Sequence, residues 1–254
     1  MRVFLLLLML ACSAAAPAQG LAPAQPKSVA VLSLLGDRLN VVTSQMSTGS
    51  RIDRNRREHV ALATDELDLA TVRGFERAAK ALRPELGVVL LRANDNSVHQ
   101  MQDAVVEGKR ELRDLLAAVA PLARRAGATH LVLFIKSRGE AQIQVSDGAV
   151  GTGYVDGLGF YVDRWSRLRR TDVGEREVGL LAPFAYFTAV LVELDGLKVV
   201  SQESSHQARA FFPARVVGAT DPWSYLTAAE KVDTLKQLSG EGIDRVVPRL
   251  LQKL

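Results

Sequence analysis

The chain has 254 residues, 48% of them hydrophobic and 24% charged, with a formal net charge of +4 and one cysteine. That length and apolar content suit one α/β domain or two small ones, and the small, mixed-sign charge excess is no strong nucleic-acid footprint. Beyond the first residues, no apolar run approaches the roughly 20 residues that a helix needs to cross a bilayer.

The amino-terminal end has three parts. Met1-Arg2 is a short basic stretch, Val3 to Ala11 is a nearly pure apolar run, and Ala16-Pro17-Ala18 fits an A-x-A cleavage pattern. Residues 1–18 therefore read as a secretory signal peptide. Cys12 follows Met9-Leu10-Ala11, where a lipoprotein signal places its acylated cysteine, although Met9 and Leu10 depart from the usual residues. If cleavage falls after Ala18, the body has no thiol, hence no disulfide, no cysteine nucleophile and no thiolate metal site. Residues 19–27, with Pro23 and Pro26, read as an extended leader, and 28–254 as a single domain.

Ser28 to Leu35 is a continuous apolar run that suits a strand covered on both faces. Gly36-Asp37 turns the chain, Arg38 to Gln45 reads as a second strand, Met46 to Arg57 as a loop and Glu58 to Ala63 as a third strand. Thr64 is placed to cap a helix carrying Leu69, Val72, Phe75, Ala79 and Leu82 at helical spacing, and Pro84 ends it. Val88 to Leu91 reads as a short strand, then Asp103 to Arg125 as one helix kinked at Pro121 and ended by Gly127. His130 to Lys136 is the clearest strand. Glu140 to Val145 alternates, Gly148 to Gly159 is glycine-rich, and Arg164 to Glu177 reads as a charged connector. Phe184 to Leu194 and Leu197 to Gln207 flank Asp195-Gly196, a type I′ hairpin signal. Asp221-Pro222 opens a helical tail in two segments, divided at Gly240 and Gly242. The expected fold class is α/β with a mixed sheet: a parallel-type β-α-β-α-β half, then antiparallel hairpins and a carboxy-terminal helix.

Three short motifs carry a resemblance. They are Val29 to Leu32 in the opening strand, Gly127-Ala128-Thr129-His130-Leu131-Val132 leading into the central strand, and Asp195-Gly196-Leu197-Lys198-Val199-Val200 in the late hairpin. In these, and in element order over 28–254, the chain resembles envelope domains related to the TolB amino-terminal domain and the curli-secretion lipoprotein CsgG. The segments Met46 to Arg57 and Arg164 to Glu177 depart from that pattern. The resemblance implies a binding or assembly module in place of an enzyme. It carries over no functional residue.

No catalytic or metal motif stands out. The four histidines, His59, His99, His130 and His206, include no pair at i, i+2 or i, i+4, so no local metal site is expected. Gly151-Thr152-Gly153 lacks the third glycine of a dinucleotide loop, and glycines in strands more often mark a bulge or close backbone approach. No Gly-x-Ser-x-Gly elbow occurs, so no catalytic residue and no cofactor is expected. The most unusual chemistry is Arg164-Trp165-Ser166-Arg167-Leu168-Arg169-Arg170. Arginine pairs bidentately with carboxylate or phosphate and tryptophan anchors interfaces, so Arg164, Trp165, Arg167, Arg169 and Arg170 are candidate partner contacts. The bland alternative is a solvated connector whose arginines pair with Asp163, Asp172, Glu175 and Glu177.

The sequence therefore predicts a non-enzymatic binding or docking module. Its address is the periplasm, or the outer membrane if Cys12 is acylated. Its partner is an envelope protein or an anionic envelope surface, and nucleic acid is not expected. An oligomeric secretion or assembly component and an envelope hydrolase are the alternatives. The hydrolase requires a pocket in which two acids, or a serine and a histidine, meet within hydrogen-bond reach.

Overall fold

A computed structural model describes residues 27–45, 53–145, 148–169, 176–212 and 221–254, with the side chains of 167–169 and 176–177 also outside the description. The expected signal peptide, Cys12 and all of the 19–27 leader except Lys27 lie outside these residues.

The first half runs β1 (Ser28–Ser33), β2 (Arg38–Thr43), β3 (Arg56–Ala61), α1 (Glu66–Leu82), β4 (Gly87–Leu90), α2 (Asn96–Val106), α3 (Leu112–Arg125) and β5 (His130–Lys136). The second half is β-rich: β6 (Arg138–Glu140), β7 (Ile143–Val145), β8 (Gly148–Val150), β9 (Tyr154–Arg169), β10 (Arg176–Glu193) and β11 (Lys198–Ala208). A 3-10 turn, Pro222–Tyr225, leads into α4 (Ala228–Leu251). The main sheet has the order β3-β2-β9-β10-β5-β1-β4, with β11 on β10 and β6 on β9. β1 is parallel to β4 and β5, and β2 to β9, while β10 is antiparallel to β5, β9 and β11. This is the mixed α/β fold expected, with helices among the early strands and a helix at the end.

Burial explains the composition of the strands. β1 and β5 are apolar along nearly their whole length because both faces are covered. Phe75 of α1 and Leu238, Ile243 and Val247 of α4 pack with Val31 and Phe134 on one face. Leu115, Leu116 and Val119 of α3 pack with Leu32 and Leu133 on the other. A third cluster, including Tyr161, Leu180, Phe184 and Ile143, fills the back of β9 and β10 under the β7–β8 hairpin.

Several expectations need correction. The single helix expected over 103–125 is two, because the chain turns at Gly108, whose φ is +72°. Pro121 sits inside the second of them. The first begins at Asn96, capped by the Asp95 carboxylate on Ser97 N at 2.8 Å. Thr64 does not cap α1; its hydroxyl donates to Glu66 Oε1 at 3.3 Å, and Asp65 holds the cap position without a side-chain capping bond, its carboxylate pairing with Arg92 instead. The tail is one continuous helix of 24 residues, begun by a reciprocal capping box between Thr227 and Glu230. Gly242 does not interrupt it. A Cβ there would lie 2.6 Å from Ser205 Oγ and 2.8 Å from Phe187 Cε1, so glycine lets the helix approach the sheet. At the β10–β11 hairpin, positive φ falls on Gly196 (72°) and Leu197 (53°), one residue later than a type I′ turn on Asp195-Gly196 requires.

β10 organises the second half. One side pairs with β11, and the other pairs first with β9 and then with β5. β5 and β9 therefore meet end to end, joined by Ser137 N donating to Tyr186 O (3.1 Å) and Gly157 N donating to Ser137 O (3.2 Å).

Candidate functional site

The sequence-predicted contact segment is not a connector at Arg164–Arg169. It is the last part of β9, and Arg176 and Glu177 begin β10. Arg176 to Val178 pair with Arg169 to Arg167, beyond the part of β10 that pairs with other strands, so the two strands continue as a ribbon. The sequence hid this because its fastening is side chain to backbone. Asp163, only 5% exposed, accepts from Trp165 N (2.7 Å), Ser166 N (2.9 Å) and Ser166 Oγ (2.7 Å). Opposite, the register shifts between Val178 and Leu180, and Gly179 takes φ +86°. A Cβ at Gly179 would lie 2.9 Å from Asp163 O.

On this ribbon Trp165 is 56% exposed and Val178 54% exposed. Arg164 pairs with Asp221 at 3.0 Å and also donates from Nε at 3.2 Å, which ties the ribbon to the residues before the 3-10 turn. Asp163 is thus engaged by backbone and serine, and the partner of Arg164 is a distant acid not foreseen in the sequence. The backbones of Arg167 and Arg169 lie in β9, but their side chains, and all of Arg170, are outside the described residues.

A polar cluster that the sequence did not foretell lies where β1 and β5 end. Lys136, with a side chain 1% exposed, pairs with Asp37 Oδ1 at 2.6 Å and Asp103 Oδ1 at 3.2 Å. Arg38 pairs with Asp103 Oδ2 at 2.5 Å and Asp37 Oδ2 at 3.5 Å, which closes a ring of two cations and two carboxylates. Burial opposes charge on the Arg38 guanidinium, but the Asp103 hydrogen bond and the fields of Asp103, Asp37 and Asp156 prevail and raise its pKa. Gln102 donates to Leu34 O at 2.8 Å and accepts from Lys136 N at 2.9 Å. The only local hint was a lysine closing an otherwise apolar strand. Nearby, Asp68 accepts from Ser33 Oγ (2.5 Å), Leu35 N (2.8 Å) and Gly36 N (3.0 Å). Burial outweighs those bonds and the nearby His99, and raises its pKa. The position is the carboxyl end of parallel strands, where open α/β sheets bind ligands. Here the ionic groups pair with each other, Asp37 Oδ1 meeting Lys136 as an ion pair without a hydrogen bond and Arg38 Nε left buried without one, so the cluster reads as a structural joint.

The histidines are dispersed. His59 Nδ1 lies 2.6 Å from Asn40 Oδ1, and His130 Nδ1 lies 2.9 Å from Thr129 Oγ1. His206 Nε2 lies 3.2 Å from Ser137 Oγ, and its ring stacks on Tyr186 at 4.4 Å. Among the described residues no group of three His, Cys, Asp or Glu is placed to hold a metal ion. The Ser137–His206 contact is the serine–histidine proximity that a hydrolase needs. No bond from a third group orients the His206 ring among the described residues, and neither cavity below is lined by the pair.

Cavities formed by described residues include two of note. One, of about 450 Å³, is lined by Arg124, His130, Glu193 and Asp195 among others. The larger, of about 780 Å³, lies at the start of β9 between the glycine-rich segment, Asp53–Asn55 and Glu140–Gln142. Two of the glycines, Gly151 and Gly159, serve close backbone approach. A Cβ at Gly151 would lie 2.2 Å from Ala141 O, and one at Gly159 would lie 1.9 Å from Asn40 O.

No protein-family description matches the sequence, and no curated protein matches it. Among solved structures, the chain is similar to protein XCC0632 from Xanthomonas campestris at 14% identity and TM-score 0.35, covering 91% of each chain. It is similar to a variant of the PelC dodecamer from Paraburkholderia phytofirmans at 12% identity and TM-score 0.31, covering 90% of this chain and 91% of that one. It is also similar to the carboxy-terminal domain of LpoB from Salmonella enterica at 14% identity and TM-score 0.24, covering 71% of this chain and 82% of that one. None of these three is named as TolB or CsgG, and likenesses this distant carry no functional argument. Among the described residues no helix is long and apolar enough to cross a membrane.

Proposed function

We propose that this chain is a non-enzymatic docking module of the bacterial envelope that engages another envelope protein through the β9–β10 ribbon. The observation that carries the reading is that Trp165 and Val178 are both exposed on a ribbon fixed at its base by Asp163 and Gly179. Exposed tryptophan on a pre-ordered element suits a contact, because little side-chain and loop entropy remains to be lost on binding. The arginines at 164, 167, 169, 170 and 176 in the sequence of this segment suit a partner with acidic groups. The envelope address rests on the basic, apolar and small-residue pattern of residues 1–18.

The test compares wild type with Trp165→Ser and with a variant in which Arg164, Arg167, Arg169 and Arg170 are all serine. Each is purified from the envelope fraction under identical conditions. Both variants keep the wild-type circular dichroism spectrum and lose a specific, stoichiometric partner. Equal recovery of that partner by all three proteins contradicts the proposal. Loss of vesicle binding instead of protein binding reassigns the ribbon to an anionic surface.

A further inference from the structure

We infer that the larger cavity, at the start of β9, is a binding site for a neutral saccharide, distinct from the ribbon at the end of the same strand. Its volume of about 780 Å³ falls within the range that small-molecule sites occupy. Its inner wall is already ordered. Asp53 accepts from Asn55 N (3.2 Å) and Tyr154 N (3.1 Å) and pairs with Arg57, and these bonds outweigh its burial and lower its pKa. Asn55 donates to Thr152 O at 2.5 Å, and Thr152 N donates to the Tyr161 hydroxyl at 2.9 Å. Gly153, with φ +71°, lets Asp53 come close; a Cβ there would lie 2.4 Å from Asp53 Oδ1.

Outside that self-satisfied wall, the cavity presents Gln45, Arg54, Glu140, Gln142 and Tyr154. Glu140 and Arg54 make no ion pair among the described residues, and the one side-chain bond to the Glu140 carboxylate is from Gln142 at 3.3 Å. Amides offer donors and acceptors together, and a carboxylate accepts, which matches hydroxyl groups that do both. Tyr154 is 39% exposed, and although Arg138 covers one face of its ring at 5.0 Å, the exposed part supplies aromatic surface for a sugar ring. Other ligand chemistries fit less well. Arg54 is the single cation of the lining, beside two carboxylates, Asp53 and Glu140, among the lining residues, which disfavours phosphate, and an acyl chain finds only Ala141, Ala149 and Val150 as aliphatic lining.

The experiment is isothermal titration calorimetry of the full chain with glucose, galactose, maltose, N-acetylglucosamine and its β-1,4-linked disaccharide. Inorganic phosphate and a blocked alanine tetrapeptide serve as the other probes. At least one sugar binds saturably with a dissociation constant of about 1 mM or tighter. Glu140→Ala and Gln142→Ala, both at exposed positions, weaken it about tenfold or more with unchanged melting temperature. Trp165→Ser leaves it unchanged, so sugar binding and docking fail separately. The inference is overturned if none of the five sugars binds, if both cavity variants bind as wild type does, or if only phosphate or the peptide binds.

Discussion

Lys136 Nζ lies 2.6 Å from Asp37 Oδ1, with the lysine side chain 1% and the aspartate side chain 14% exposed. This pair joins the end of β5 to the turn after β1, and with Arg38 and Asp103 it holds the place where β5 and β9 meet against β10. Removing one member of such a ring strands a buried charge, which costs more than the intact pair contributes. Lys136→Met should therefore lose about 3–5 kcal/mol in urea unfolding. Combining it with Asp37→Asn should recover part of that loss. Additive losses in the double variant would show that the two residues do not act as a pair.

Two glycines of α4 should respond with opposite signs. At Gly242 an added Cβ meets Ser205 and Phe187, so Gly242→Ala should destabilise by about 1–3 kcal/mol. At Gly240 nothing lies within 4 Å, so Gly240→Ala should stabilise by about 0.5–1 kcal/mol through helix propensity. Thermal melts of the two variants read the difference directly.

The pH dependence follows from three groups. His130 and His206 have lowered pKa values, chiefly because burial opposes their charged forms, with Lys27 adding to the effect at His130. The unfolded chain then binds the proton more readily, so their contribution is present above the ordinary histidine range and is lost as pH falls through the folded values. Asp68 is shifted the other way: burial raises its pKa, so its contribution is present below the ordinary carboxylate range and is lost as pH rises through the folded value. Over this range Asp68 opposes the histidines, so the histidine share is read by difference: His206→Gln should gain stability relative to wild type as pH falls from 7 toward 5 in chemical unfolding. An unchanged slope in His206→Gln would remove that residue from the account.

Ser137 should not react with a fluorophosphonate probe, because no bond from a third group orients His206 among the described residues and neither cavity is lined by the pair. Labelling mapped to Ser137 and abolished by His206→Ala would instead establish the hydrolase.

Periodicity carried much of the fold. The unbroken apolar runs of β1 and β5 announced strands covered on both faces, and Val72, Phe75 and Ala79 announced the buried side of α1, whereas Leu69 and Leu82 of the same expected stripe are exposed. Signals that depend on one backbone angle were weaker: Gly108 divides α2 from α3, while Gly242 permits close packing and divides nothing. The candidate site was legible as chemistry but misread as structure. Arg164 to Arg169 looks like a solvated charged stretch, yet Asp163 satisfies local backbone donors and keeps it in β9. The ring of Asp37, Arg38, Asp103 and Lys136 is assembled by topology from remote positions, so no spacing rule could have found it.

The central claim is that Trp165 docks on another envelope protein, and photo-crosslinking in the native envelope tests it most directly. A photoreactive phenylalanine analogue is placed at Trp165, or at exposed Val60 on the edge strand β3 as control. The account predicts one discrete heterologous crosslink from position 165 and none from position 60. No protein crosslink from 165, or the same products from both positions, contradicts it.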